Sequence, residues 1–283
     1  MKIFRVLQVV VLLLLTACSY QFIYRHLDTL IPFYINNLVD LEELDERADK
    51  ESIELLIWHQ REQLPQYTDW LKQNQALIKN ENSHVISARD IDKQLESLNG
   101  FWHQLRQKTS VDLARLLPLL NEQQINELFL SLEENSHDYI KKNISLSVAE
   151  KNQLYQQRLL EQFEHWLGYL SEEQKSILIK SVDGFQSQAA LRLKSRLEWQ
   201  QKTRQILLSN EDNKPTVLSA LFTRLSIKYD QLYQPSSAKN RQHLSELIAR
   251  ILTTIDKQQR QNISDRFDQY IKMIDEFIQH QWK

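Results

Sequence analysis

The residue whose setting most clearly predicts a chemical reaction is Cys18, the single cysteine of the chain. It ends the run Leu-Leu-Leu-Leu-Thr-Ala-Cys over residues 12–18. A cysteine that follows apolar residues and two small ones is typical of a bacterial lipobox, in which a peptidase cleaves before the cysteine and the thiol carries a lipid. We therefore expect lipid attachment at Cys18 and signal cleavage at Ala17. The alternative is a chance cysteine in an ordinary secretory signal.

Residues 1–17 have the features of the signal peptide that such a reaction requires. Lys2 and Arg5 give a positive start, and residues 6–15 are almost wholly apolar. About ten residues are too few to cross a hydrocarbon core of about 30 Å, whereas buried acyl chains would anchor the body without help from the fold. Ser19, rather than Asp, follows the cysteine. By the usual sorting rule for such lipoproteins this predicts the outer membrane, with the body on the periplasmic face.

Other reactive side chains are scattered along the chain. The candidate binding surface comprises His59, Arg61, Glu62, Arg192, Lys194 and Arg196. The last three belong to a basic tract that could meet phospholipid headgroups or an acidic partner, although such runs are more often a solvated helix face. Glu133 with His137, and Glu161 with His165, have the i,i+4 spacing that a metal can use. Such pairs are common neighbours on helix surfaces, so we predict no metal site.

Motifs and composition limit the function further. We find no Gly-rich phosphate loop, no Gly-x-Ser-x-Gly elbow and no His-Glu-x-x-His pair, so the sequence predicts neither an enzyme nor a cofactor. Lys and Arg number 35 against 37 Asp and Glu, which gives a net charge of −2. A general nucleic-acid binder should be basic, so we expect no nucleic-acid partner.

Helix-start signals recur along the chain, and only three glycines interrupt it. A capping residue is followed three positions later by Gln or Glu at Asn121 with Gln124, Ser147 with Glu150, Ser171 with Gln174, and Asp256 with Gln259. Apolar positions at helical spacing follow each pair. We predict an all-α fold, a multi-helix bundle of about eight to ten helices, many of them antiparallel, after a cleaved lipoprotein signal peptide. The sequence predicts a helix break around Pro235 and a break or a kink at Pro65, and it allows a break at Gly100.

Three segments follow from these signals. Residues 1–17 form the signal peptide, 18–39 a lipidated N-terminus with an apolar docking segment, and 40–283 the helical body, which opens on a capping pair of Asp40 with Glu43. The segment 18–39 is too apolar and aromatic for a flexible tether. It either docks on the body or lies in the membrane interface, where aromatic residues are favoured.

Two resemblances accompany these motifs. Residues 27–34, 39–41 and 58–67, which include Leu-Ile-Pro, Val-Asp-Leu, and Trp-His with a downstream Leu-Pro-Gln-Tyr, resemble an uncharacterised family of Gram-negative lipoproteins. That resemblance implies a helical lipoprotein and brings no known activity, and Thr29 departs from the Trp often found there. Three of the helix starts, at residues 120–124, 170–174 and 255–259, have an apolar residue, a capping residue and a Gln three positions after the cap. They are similar to the Leu-Thr-x-x-Gln motif of Spy-type periplasmic chaperones, with Asn, Ser and Asp in place of Thr.

Three functional hypotheses follow. The first is a non-enzymatic outer-membrane lipoprotein that binds an envelope protein or another envelope component, and a fully polar exterior would favour it. The second is a chaperone-like body that binds unfolded periplasmic clients, which an exposed apolar or basic concavity would favour. The third is an envelope enzyme with an unrecognised site, which would need a closed pocket around residues such as His59, Arg61 and Glu62.

Replacing the lipobox cysteine tests the anchor. Cys18→Ala should abolish incorporation of labelled palmitate and release the body from membranes, because it removes the only thiol that could carry the lipid. The measurement is fractionation in high salt together with palmitate labelling of the intact chain. A Cys18→Ala chain that still takes up label would show that the lipobox interpretation is wrong.

Overall fold

A computed structural model of the chain describes residues 22–40, 45–79 and 85–282. Within those ranges it contains ten α-helices and no strand: α1 Leu27–Asn36, α2 Asp45–Trp58, α3 Leu64–Lys79, α4 Ala88–Leu116, α5 Glu122–Asn143, α6 Val148–Leu167, α7 Glu172–Ser181, α8 Ala189–Leu207, α9 Lys214–Leu252 and α10 Lys257–Ile278. The predicted all-α bundle is confirmed. The signal peptide, Ala17 and Cys18, and the Asp40–Glu43 pair, lie wholly or partly outside the described residues.

Two apolar clusters form the core. The first joins α4, α5, α8 and α9, with Leu218, Ala114, Leu207 and Phe222 among its most buried members. The second joins α3, α6, α7, α9 and α10, and its most buried members include Leu178, Ile251 and Leu167. The most extensive helix contacts are those of α4 with α9 and of α3 with α10. Helix α9 contributes to both clusters, so it connects the two halves of the core.

The predicted capping pairs form as hydrogen-bonded boxes. At the starts of α5, α6, α7 and α10, the cap side chain accepts from the third amide and the third side chain accepts from the cap amide. Helix α4 begins with a box of the same kind between Ser87 and Asp90. These interactions satisfy amides that have no partner within the helix.

The break predicted around Pro235 is wrong, and the break that the sequence allowed at Gly100 does not form. Helix α9 continues through Pro235, and α4 continues through Gly100. Gly costs about 1 kcal/mol and Pro about 3 kcal/mol in a helix interior, and burial of residues such as Tyr229 and Leu247 on either side of Pro235 offsets that cost. Long-range packing therefore overrides the local signal.

At Pro65, where the sequence predicts a break or a kink, the structure has a change of helix type. A π-helical turn, His59–Gln63, joins α2 to α3, and the Leu64 amide donates to the His59 carbonyl five residues back. Pro65 then occupies the second position of α3. The wider turn ends shortly before Pro65, which cannot donate a helical hydrogen bond. The hydrogen-bonding pattern therefore changes at this point, but the chain remains helical from α2 into α3.

The links α6–α7 and α9–α10 meet through a buried pair of amides. Gln174 and Gln259 are almost fully buried, and each donates to the other's Oε1 at 2.9 Å. Each oxygen also accepts from its own cap amide. Gln259 further donates to the Tyr169 carbonyl, and Gln174 contacts Thr254. The same two side chains therefore start two helices and join two links.

Gly168 ends α6 beside this amide pair. Its φ is +83°, a conformation that side chains with a Cβ rarely adopt. A Cβ there would lie 2.3 Å from Nδ2 of Asn262, which donates to the Leu167 carbonyl at 2.7 Å. Glycine is required at this position for both backbone and steric reasons.

Breaking the amide pair should destabilise the whole bundle. Gln174→Ala and Gln259→Ala should each cost about 2 to 3 kcal/mol in unfolding free energy, since each leaves a buried amide unpaired. Chemical denaturation checks this, with the exposed box residue Glu150→Ala as the control for loss of a helix start, at about 1 kcal/mol, because the side chain of Glu150 bonds to Ser147 of its own box. The double variant should be less destabilised than the sum of the single variants, and strict additivity would contradict the coupling.

Candidate functional site

A basic hollow lies where the end of α5, the start of α6 and the start of α8 meet α9. Its volume is about 320 Å³, and four cationic residues line it: Lys142, Lys151, Arg158 and Arg192. Among the described residues of the lining, none is a carboxylate. Asn152 of the lining donates to Asp183 at 3.2 Å. The hollow therefore concentrates positive charge on a chain that is slightly acidic as a whole. We call it the basic hollow.

Local hydrogen bonds fix the walls of the basic hollow. Lys151 Nζ donates to the Ile144 carbonyl at 2.9 Å and so closes the short α5–α6 link. The loop before α8 is clamped to α9, because Asn240 Oδ1 accepts from the Gln186 amide at 2.7 Å and its Nδ2 donates to the Gln186 carbonyl at 2.8 Å. Gln188 donates to the hydroxyls of two α9 serines. The surface is thus preformed rather than assembled from free loops.

A second hollow, of about 620 Å³, adjoins the first and shares Tyr139, Lys142 and Asn143 with it. Arg196 lies in its wall, with its guanidinium 4.8 Å from the centre of the Tyr139 ring. A cation over an aromatic face is held in place without losing its charge. Tyr34 of α1 lines the same hollow, which brings the N-terminal segment to the edge of the basic region.

The basic tract predicted from the sequence is divided by the fold. Arg192 and Arg196 lie one helical turn apart and line the two hollows, whereas Lys194 is exposed and lies outside both linings. Farther along α8, Glu198 accepts from Lys202 at 2.5 Å, from Lys228 at 2.6 Å and from Tyr229. The bonds from Lys202, Lys228 and Tyr229 lower the pKa of Glu198 to about 2. The first part of the tract therefore presents cations to these two hollows, whereas Arg204 near its end lines a separate hollow of about 470 Å³ that also contains Glu133.

The residues His59, Arg61 and Glu62 do not share a pocket. His59 is half-buried, with Nδ1 3.4 Å from the Tyr24 hydroxyl and its ring against Tyr67. Arg61 and Glu62 are exposed, and Glu62 lines a separate hollow of about 550 Å³ beside α4. These three residues are neighbours in the sequence, but in the π turn His59 packs inward while Arg61 and Glu62 face solvent.

His59 instead belongs to a junction between the two ends of the described chain. Gln60 donates to the carbonyls of Phe277 and His280, each at 2.6 Å, and accepts from Trp282. Tyr24 stacks on Phe277 with ring centres 4.0 Å apart. The arrangement is a clamp that holds the two ends of the described chain together.

Sequence reasoning missed the residues that complete the basic hollow. Lys142, Lys151 and Arg158 come from two helices and are followed only later in the chain by Arg192. No spacing in the sequence connects them. The nearest signal is the Lys141-Lys142 pair at the end of α5, which a helix dipole alone would explain.

An apolar hollow of about 770 Å³ lies elsewhere, between α4 and α9. Val111, Ala114, Pro215, Ala220 and Ile227 are among its lining residues, and Arg115 and Arg224 also border it. Ile227 is 55% exposed. The described surface is therefore not uniformly polar, and it offers one basic and one apolar concavity.

The described residues contain neither a metal-binding cluster nor a membrane-spanning helix. No group of three or more His, Cys, Asp or Glu within them could hold a metal ion. His137 approaches Glu133 at 4.0 Å, with both side chains mostly exposed. None of the described helices has the combined length and apolar character needed to cross a bilayer.

Comparison with known proteins gives one match. A model described as a family of unknown function, DUF6279, matches residues 37–238. No curated protein and no solved structure matches the chain. The matched range contains the linings of both the basic and the apolar hollows, except Asn240 of the basic one, and ends before the clamp residues of the C-terminus.

The junction around His59 should make stability depend on pH. Burial lowers the pKa of His59 from its ordinary value near 6.5, so the unfolded chain binds a proton more readily and stability is lost as the pH falls below about 6.5. The decline in Tm between pH 7.5 and 5 should be smaller in His59→Gln than in the unsubstituted chain. Thermal circular dichroism checks this, with exposed His137→Gln as the control, and parallel curves for all three chains would contradict it.

Proposed function

The chain belongs to the family of unknown function DUF6279, and from that premise we propose that it is a lipid-anchored, non-enzymatic binding protein of the cell envelope. In this proposal Cys18 carries the lipid, the outer membrane holds the anchor, and the helical body faces the periplasm. The basic hollow binds an anionic group of an envelope component, either a protein or another constituent. No cofactor and no nucleic acid is involved.

The observation that carries the proposal is the convergence of Lys142, Lys151, Arg158 and Arg192 on one concavity. Cations from three separate helices have been brought together on a chain whose net charge is negative. A volume of about 320 Å³ is at the lower end of the range of small-ligand pockets. Charge-assisted hydrogen bonds from Lys and Arg are the usual means of holding phosphate or carboxylate groups. These features fit a small anionic group.

The second candidate is the chaperone-like function, and the apolar hollow is the observation that favours it. An exposed concavity lined by Val111, Pro215 and Ile227 could take apolar segments of unfolded clients. The same hollow is bordered by Arg115 and Arg224. Exposed apolar and basic concavities are the features that we expected of a chaperone-like body, whereas the small volume and four cations of the basic hollow favour a single anionic group. The two candidates are therefore separated by how many different molecules the protein binds.

Crosslinking in intact Gram-negative cells, followed by purification of the tagged, lipidated chain, tests both candidates. We expect one reproducible envelope component, and recovery that falls by about tenfold or more in Arg158→Ala/Arg192→Ala, since two charge-assisted contacts are lost. Lys194→Ala is the matched control, because it removes a cation of the same helix that lies outside the hollow. Its recovery should be unchanged.

Two results would count against the proposal. Equal recovery from the double variant would show that the basic hollow is not the binding site. A broad collection of unrelated, partly unfolded proteins would replace the proposal with the chaperone-like function. Circular dichroism of each purified variant confirms that the bundle remains helical.

A further inference from the structure

A stripe of apolar and aromatic side chains faces outward on the N-terminal segment. Its members follow one helical face: Phe22, His26, Leu30, Phe33 and Tyr34. Phe22, Phe33 and Tyr34 are each more than 60% exposed, and the rings of Phe22 and His26 stack at 4.2 Å. We call these five residues the aromatic stripe.

The opposite side of the segment is already occupied by the body. Val39 is buried in the first core cluster, and Ile35 and Leu38 pack against that cluster. The Leu38 carbonyl accepts from Ser131 at 3.0 Å, and Tyr24 stacks on Phe277. The segment is therefore held against the body at both ends. Its other face is the one that packs on the core, so the aromatic stripe remains on the outside.

Basic residues lie beside one end of the aromatic stripe. Tyr34 shares a hollow with Lys142 and Arg196, and that hollow adjoins the basic hollow through Tyr139 and Lys142. The carboxylate of Asp138 lies in the same lining, 3.9 Å from Lys142. Aromatic rings beside Lys and Arg are the composition favoured where a protein meets lipid headgroups.

The position of the lipid limits what can cover the stripe. Phe22 lies four positions after Cys18, and a fully extended chain spans at most about 14 Å over four positions. Acyl chains on Cys18 would thus keep the beginning of the stripe near the bilayer surface, whose polar region is itself about 5 to 7 Å deep.

We propose that the aromatic stripe lies in the headgroup region of the leaflet that holds the lipid anchor, with Arg196 and Lys142 towards anionic headgroups. This inference rests on the proposed lipidation of Cys18. It adds an orientation: the body is held against the membrane by one defined face instead of swinging freely from its first residue.

Site-directed spin labelling tests the orientation. Because a lipidated Cys18 has no free thiol, a nitroxide on Phe33→Cys in the lipidated full chain reports one position. The chain is reconstituted into phosphatidylethanolamine vesicles containing phosphatidylglycerol. Lys257→Cys is the control, since it is exposed at the far end of α10, about 30 Å along that helix from Phe277, the partner of Tyr24.

Power saturation then measures collisions with oxygen and with a water-soluble nickel complex. We expect the Phe33 label to collide with the nickel complex several-fold less often than the Lys257 label, and with oxygen more often. Equal collision rates at the two positions, in a chain that floats with the vesicles, would overturn this inference and would leave the proposed anchoring intact. Dipolar broadening at the Phe33 position that survives dilution with lipid would show a second copy covering the stripe and would also overturn it.

Failure of the anchor gives a different result. An unlipidated chain leaves Cys18 free to take the label, and the unsubstituted chain would then be labelled too. Such a result would contradict the proposed anchoring, whereas the collision rates at Phe33 concern only the face of the body that meets the bilayer.

Discussion

The reciprocal hydrogen bonds between Gln174 and Gln259 are the constraint on which the rest of the structure depends. Two neutral amides buried away from water are costly unless every donor and acceptor finds a partner, and here their partners are each other, two cap amides and neighbouring groups of the links. Four helices are fixed by this arrangement, because α6 and α9 end at the links while α7 and α10 begin there. A bundle without disulfides therefore gains its alignment from polar contacts placed where helices start.

The basic hollow, which we propose as the binding surface, is built from helix ends in the same way. The basic hollow is formed where α5 stops, α6 starts and α8 starts, and its cations come from helix termini as well as from helix faces. Lysines near the end of α5 also suit the negative end of the helix dipole. Interactions that stabilise the fold thus bring positive charge to one region of the surface, the region to which our proposal assigns the anionic ligand.

Local features of this protein could be predicted from the sequence, whereas contacts between distant residues could not. The capping pairs at Asn121, Ser147, Ser171 and Asp256 were predictable because the partners are three residues apart. The continuity of α9 through Pro235 was not, since it depends on packing against α4. The basic hollow could be predicted only in part. Arg192 belongs to a dense basic tract that the sequence shows, but its association with Arg158 arises from the way α6 and α8 meet.

The clamp at Gln60 has a consequence for the order in which the chain folds. Its acceptors, the carbonyls of Phe277, Ile278 and His280, lie more than 200 residues later in the chain. Tyr24 likewise stacks on Phe277. The beginning of the described chain therefore reaches its final packing only when residues 277–280 are present to receive it, so an intermediate that lacks them would leave Tyr24 and Gln60 without these partners.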